Sequence, residues 1–263
     1  MGSLGNQSTL PDYFLGKLGP RQFADPINRL ETAADNWVLN PEYYSNKKGY
    51  NDNCALVSTA AALYAMGYDV EAMPRDTVWR GFDTVFEVDY SNPSNYIAGT
   101  GTKNSTGIPR ASRLWSKYNN VSEMPVGAKA ASKAIEDKVK SWGSGSFGVM
   151  NVVWKNSNSA HVVNIFNKNG RVIAYDFQIN KEIKDLQAYL KRTVAKSTAI
   201  ARLDNATVKT HNLSSLGKMV KKGRLPEETK QVVMNYINKP QVVQVQWGSK
   251  EADEQLKRIA RRL

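Results

Sequence analysis

Apolar positions along the chain predict two long helices. An almost unbroken apolar run follows Cys54 and ends before Gly67, a common residue at helix ends, while Asn53 is of a type that often precedes a helix. Apolar side chains recur at spacings of four, four and three over residues 128–142, which predicts a helix with one buried face. Shorter helices are predicted over residues 32–37 and 183–191.

Runs of β-branched and alternating residues predict an antiparallel sheet. One strand is predicted over residues 147–154, and two more, 160–166 and 171–177, flank an Asn-Lys-Asn-Gly turn that is typical of a hairpin. Weaker strands are predicted over residues 68–72 and 197–203. Helices combined with an antiparallel sheet predict the α+β fold class.

Changes in composition divide the chain into three parts. Residues 1–30 contain many Gly, Pro and Asn residues, which predicts an irregular N-terminal arm. Residues 31–213 hold the helices and strands of one predicted domain, and residues 214–263 form a basic C-terminal tail predicted as helix, strand and helix. Within the domain, the Ser-, Asn- and Gly-rich residues 91–109 predict a long loop, a candidate wall or lid for a binding site.

The positive charge of the protein is concentrated near its C-terminus. Of the formal net charge of +12, residues 1–180 contribute +2 and residues 181–263 contribute +10. Such a segment can bind nucleic acid or an acidic protein surface, although it is also typical of a solvated face. No apolar run is long enough to cross a bilayer and no signal-peptide pattern is present, so we expect no membrane span.

The only cysteine in the sequence is Cys54, which therefore cannot form an internal disulfide. Its predicted place is the first turn of a helix, where the positive end of the helix dipole stabilises a thiolate. A cysteine in this position is a candidate nucleophile. The alternative is a small buried side chain with a packing role.

One of the two histidines, His161, is predicted at the start of one hairpin strand, with Asp176 and Gln178 at the end of the other. A four-residue loop would place His161 opposite Asp176, whereas a two-residue Asn-Gly turn would place it opposite Gln178. In either register the three side chains share one face of the sheet, because side-chain direction repeats every two residues. A partner there can accept the imidazole N–H and leave the other ring nitrogen free as a base. The second histidine, His211, is interpreted as a surface residue.

These motifs resemble the papain-fold toxin family, which comprises glutamine deamidase domains of polymorphic toxins and related segments of phage head-morphogenesis proteins. The resemblance covers about residues 36–180 and implies a papain-like cysteine hydrolase fold, in which the nucleophile helix packs on an antiparallel sheet. It rests on residues 40–43, 49–54, 67–74, 152–154, 159–164, 169–172 and 176–178.

The resemblance implies Cys54 as the nucleophile, His161 as the base and Asp176 as the residue that orients it, with Gln178 near the site. Oxyanion donors are expected at the helix start, from the Cys54 backbone N–H and from Asn53. The implied reaction is the deamidation of glutamine side chains on a protein substrate, with proteolysis and acyl transfer to an amine as variants. No cofactor and no metal site are expected.

A structural role is the rival hypothesis. A phage could keep this domain as a minor capsid component or as cargo, and residues 1–30 and 214–263 would then contact capsid or portal proteins, or packaged nucleic acid in the case of the basic tail. The corresponding location is the virion or the host cytoplasm. A delivered effector is the alternative outside a phage.

Overall fold

The protein has an α+β fold built on a six-stranded antiparallel sheet. The computed structural model describes residues 25–68, 70–75, 82, 85–101, 108–109, 111–118, 120–157, 159–209 and 220–222. The α-helices in these ranges are α1 (Pro26–Asn36), α2 (Cys54–Ala65), α3 (Ala111–Trp115), α4 (Ala128–Ser141) and α5 (Leu186–Lys191). The strands are β1 (Val70–Ala72), β2 (Phe86–Glu87), β3 (Tyr96–Ala98), β4 (Phe147–Val153), β5 (Ala160–Lys168), β6 (Arg171–Asp176), β7 (Lys181–Glu182), β8 (Ala199–Arg202), β9 (Thr207–Val208) and β10 (Val220–Lys222).

The strand order in the main sheet is β3-β8-β4-β5-β6-β7, and each neighbouring pair is antiparallel. Strand β8 comes late in the chain yet lies between β3 and β4. Two smaller sheets pair β1 with β10 and β2 with β9. The antiparallel sheet expected from the sequence is confirmed.

The central hairpin has a two-residue turn. Lys168 pairs with Arg171, so Asn169 and Gly170 form the turn, and both have positive φ angles, 52° and 87°. This backbone conformation suits Asn and Gly and matches the twist of the strands. The four-residue loop that the sequence also allowed is therefore wrong.

Helix α2 is buried on almost every side. Ten of its twelve residues are buried, which is typical of a helix inside a fold rather than on its surface. It packs on the sheet face that carries Val162 and Phe166, and α1 covers it from outside. Helices α4 and α5 cover the opposite face, where Val163 and Ile165 point.

Several predicted boundaries differ from the structure. The predicted loop 91–109 contains β3, which sits in the main sheet, so that segment is not an open loop throughout. Helix α1 begins at Pro26, inside the predicted arm, because Asp25 caps it through a hydrogen bond to the Ile27 N–H. Residues 1–24, His211 and the predicted helices and strand of 226–263 lie outside the described residues.

Candidate active site

The position of Cys54 is set by the way α2 is fixed to the sheet. One turn further along the helix, the Ser58 hydroxyl donates to the Val162 carbonyl at 3.2 Å, and the Asn164 amide donates to the Ser58 carbonyl at 3.1 Å. These two bonds hold the helix against β5. The half-buried Cys54, the first residue of α2, therefore lies beside the beginning of β5.

The imidazole of His161 donates from Nε2 to Oδ2 of Asp176 at 2.6 Å. The two-residue turn would set His161 opposite Gln178, but the paired ladder of β5 and β6 ends at Asn164 and Tyr175, and the ring reaches Asp176 instead. The second carboxylate oxygen of Asp176 accepts the backbone N–H of Gln178 at 3.0 Å. Of the two partners that the sequence left open, Asp176 is the one that bonds to the imidazole.

Cys54 also interacts with His161 and favours the protonated ring, so the imidazole lies between the thiol and the carboxylate. Since Nε2 is used by Asp176, Nδ1 is the ring nitrogen left for the sulfur. Burial alone would lower the pKa of His161, but the hydrogen bonds and negative charges of Asp176 and Cys54 outweigh it and raise that pKa to about 10. The arrangement therefore favours the imidazolium form of His161 beside Cys54.

The side chain of Asn53 lies in a buried amide network rather than in the cleft. It is fully buried, and its two amide hydrogens are donated to Oδ1 of Asn40 at 3.1 Å and to the carbonyl of Met73 at 3.0 Å. Its carbonyl oxygen accepts from Gln178 at 3.4 Å. Both donors of the Asn53 side chain are therefore already used inside the protein, and the side chain offers none to an oxyanion.

The same network joins the two halves of the site. Asn40 donates to the carbonyl of Tyr50 at 3.0 Å and to the carbonyl of Gln178 at 3.2 Å. The residue before the nucleophile is thereby fixed to the segment that follows the His161 partner. The sequence motif at 40–43 contained Asn40, but an Asn before a proline indicated only a turn.

The N-terminus of α2 is left without a side-chain cap. Asn53 has the residue type of an N-cap, yet its side chain is turned into the amide network. The first backbone N–H groups of a helix have no acceptor inside the helix, so those of Cys54 and Ala55 remain as donors at the site. The helix dipole adds positive potential at the same point.

Two aromatic side chains that the sequence analysis did not assign to the site surround the imidazole. The Trp154 ring stacks on His161 with centroids 6.0 Å apart, and Tyr189 of α5 meets Trp154 edge-on at 5.3 Å. The Tyr189 hydroxyl is buried and has no hydrogen-bond partner. Burial, followed by the negative charges of Asp176 and Cys54, raises the pKa of Tyr189. Apolar surroundings and nearby carboxylate thus keep its phenol protonated.

Within the described part of the chain, no group of three or more His, Cys, Asp or Glu side chains could hold a metal ion. None of the described helices is both long and apolar enough to span a bilayer.

A comparison with known protein families gives one match, which includes the residues of this site. Residues 52–181 match the model of a family described as papain fold toxin 1, glutamine deamidase, which confirms the resemblance seen in the sequence. No curated protein and no solved structure matched the chain. The matched segment begins two residues before Cys54 and ends in β7, and so contains the nucleophile helix and the hairpin packed against it. Over residues 52–181 this protein is therefore similar to the papain fold toxin 1, glutamine deamidase, family.

Proposed function

We propose that this protein is a cysteine-dependent amidohydrolase that converts glutamine side chains of a target protein into glutamate. The observation that carries the proposal is the 2.6 Å bond between His161 and Asp176, with the imidazole acting on Cys54 at the uncapped N-terminus of α2. The description of the matched family as a glutamine deamidase supports the choice of substrate.

In the first half of the reaction, the Cys54 thiolate attacks the carboxamide carbon of the glutamine. The oxyanion that forms accepts hydrogen bonds from the N–H groups of Cys54 and Ala55, each worth about 3 kcal/mol in such sites. His161, protonated at Nδ1, gives its proton to the amide nitrogen. The C–N bond then breaks, ammonia leaves and a thioester remains.

In the second half, the now neutral His161 takes a proton from water, and the hydroxide attacks the thioester carbon. The C–S bond breaks, and the products are glutamate and the Cys54 thiolate paired with the imidazolium. In sum, one water is consumed and one ammonia is released. Asp176 keeps the same imidazole orientation in both halves through its 2.6 Å bond to Nε2.

Asn53 and Gln178 act in this proposal as positioning residues. The bond of Gln178 to Asn53 and its backbone bond to Asp176 couple the nucleophile side of the cleft to the carboxylate side. Displacement of either amide would move the sulfur relative to the imidazole, and proximity of these groups is a large part of the expected rate enhancement.

The direct test is ammonia release from a glutamine-containing protein or peptide. Cys54→Ser is expected to abolish the release and the Gln-to-Glu mass change, because a serine hydroxyl at this site is a much weaker nucleophile than the thiolate. Since the chain has a single cysteine, iodoacetamide treatment of the wild type modifies the same atom and serves as an independent control. Undiminished ammonia release after either change would refute the proposal.

A further inference from the structure

A groove between β7 and α5 lies next to the candidate catalytic side chains. Its volume is about 320 Å³, and Asp176 is part of its lining. The apolar part of the lining comes from Ile179, Ile183, Ala188 and Tyr189. Ile179 is 37% exposed, which makes it one of the few large apolar side chains left open to solvent among the described residues. An apolar side chain seated here would remove that surface from water.

The rim of the groove offers basic side chains to a ligand. Three basic side chains stand along it, namely Lys181, Lys184 and Arg192. The three acidic side chains of the lining already have partners: Asp176 bonds to His161, Glu182 bonds to Arg171 at 2.6 Å, and Asp185 accepts the Ala188 N–H at 2.8 Å. Within the described ranges, neither of the two rim lysines has an ion-pair partner. Their charge is therefore open to a ligand.

The groove is connected to the catalytic centre through two of its lining residues. Asp176 is one hydrogen bond away from the imidazole of His161. Tyr189 contacts Trp154, the ring stacked on His161, and its buried hydroxyl is without a partner. Tyr189 thus forms part of the groove lining and also contacts the aromatic ring beside the imidazole.

We propose that this groove recognises the segment of the target protein that carries the glutamine, and that it selects an apolar residue flanked by acidic residues. The inference rests on the proposed function, because it assumes that a glutamine is delivered to Cys54. Successive residues of an extended segment are about 3.3 Å apart, so neighbours of a glutamine held at the cleft can reach a groove that adjoins Asp176. The acidic neighbours would pair with the rim lysines, and the apolar one would pack on Ile179 and Ile183.

The binding test uses the full chain with Cys54→Ser and three fluorescein-labelled hexapeptides, followed by fluorescence anisotropy. The first peptide has a leucine before the glutamine and two glutamates as flanks, the second has lysines instead of the glutamates, and the third has serine instead of the leucine. We expect the first to bind at least tenfold more tightly than either of the others. Lys184→Glu should cancel or invert the preference between glutamate and lysine flanks, and Ala188→Phe, which fills the groove, should weaken the leucine peptide.

The matched control is Lys191→Glu, which reverses an exposed charge on the same helix but outside the groove lining. It should leave the order of the three peptides unchanged. Equal losses in Lys184→Glu and Lys191→Glu, or no saturable binding of the first peptide up to about 1 mM, would overturn the inference. Circular dichroism of each variant separates loss of fold from loss of the groove.

Failure of the proposed function would give a different result. Ammonia release from free glutamine peptides by the wild type reports on the chemistry, whereas anisotropy with the Cys54→Ser chain does not depend on it. Selective binding without ammonia release would leave the groove as a peptide site and refute the deamidase. Ammonia release without any peptide preference would refute the groove and leave the deamidase intact.

Discussion

Burial and nearby negative charge have opposite effects on the pKa of His161. Its side chain is 13% exposed, and desolvation of this kind favours the neutral ring. Asp176, itself nearly buried, opposes desolvation both as a hydrogen-bond acceptor and as a negative charge. The imidazolium that the proposed reaction needs as a proton donor to the amide nitrogen is therefore stabilised by Asp176, with a further contribution from Cys54.

Asp176→Asn should lower the pKa of His161 from about 10 towards and below its usual value of 6.5, because burial remains while the charge of Asp176 is lost. A protonated imidazole is needed for ammonia to leave, so the basic limb of the kcat/KM profile lies near pH 10 in the wild type and moves to lower pH in the variant. The rate at neutral pH should fall by about 10²–10⁴-fold. The measurements are ammonia release against pH and imidazole NMR of His161.

The control for this variant is Asp137→Asn, which removes an exposed carboxylate that pairs with Lys133 on α4. Neither the His161 resonance nor the pH profile should change in it. An Asp176→Asn protein that kept the wild-type basic limb would contradict the role given to this carboxylate.

The candidate residues Cys54, His161 and Asp176, which the structure brings together, could be named from the sequence because their signals are local. The sequence shows a single cysteine directly after a helix-start pattern. It also shows a histidine that shares one sheet face with both of its candidate partners. The sequence does not show which partner bonds to His161, because this depends on where the pairing of β5 and β6 ends. Trp154 and Tyr189 were missed because an aromatic residue at the end of a strand or on a short helix is as typical of the hydrophobic core as of a functional site.

Helix α2 is held at both ends by residues distant in sequence. At its N-terminus the Asn40–Asn53 amide network fixes Asn53, and at its C-terminus Arg29 of α1 donates to the carbonyls of Tyr64 and Tyr68, the latter at 3.3 Å. The Arg29 guanidinium also lies 4.1 Å from the Tyr64 ring centroid. The last carbonyls of a helix have no internal donor, and a buried cation there satisfies them and suits the dipole.

Arg29→Ala should lower the free energy of unfolding by about 2–4 kcal/mol, because it removes buried hydrogen bonds to the Tyr64 and Tyr68 carbonyls together with a stacked side chain. Urea unfolding monitored by circular dichroism measures this. The control is Arg113→Ala, an exposed arginine on α3, which is expected to change stability by less than about 0.5 kcal/mol. Equal effects of the two substitutions would show that the Arg29 contacts contribute little to the folded state.

Elements with their own periodicity or turn chemistry could be predicted, and elements defined by their neighbours could not. The pattern of α4 and the Asn-Gly turn between β5 and β6 gave bounds within one or two residues of the structure. Strand β3 was missed because its three residues are all buried, so they show no alternation, and polar residues surround them. Helix α5 starts later than predicted because Ile183 still bonds to Ala174 in the sheet and Asp185 provides the cap.

At the scale of the whole molecule, the site depends on parts of the chain outside the matched segment 52–181. Strand β8 fills the middle of the sheet beside β4, and its residues Ala199, Ile200 and Ala201 are almost fully buried. The approach is so close that a Cβ at Gly148 of β4 would collide with the Ala201 carbonyl oxygen. The predictions made for residues 1–30 and 214–263, including virion and nucleic-acid partners, concern mostly residues outside the described ranges and stay predictions.

A chain that ends at Ser197, before β8, should therefore fail to fold, whereas a chain that ends at residue 223 retains every described strand and should fold. Loss of β8 leaves both β3 and β4 with unpaired backbone groups and exposes the apolar faces that β8 covered. The free-energy cost of these changes exceeds the free energy of unfolding of a typical domain. Cooperative thermal unfolding and rapid alkylation of Cys54 at neutral pH are expected for the longer chain alone, because the thiolate requires His161 beside it. If the shorter chain unfolded cooperatively and its Cys54 reacted as fast as in the full protein, the site would form without β8. That result would contradict the dependence of the site on the pairing of β8 with β4.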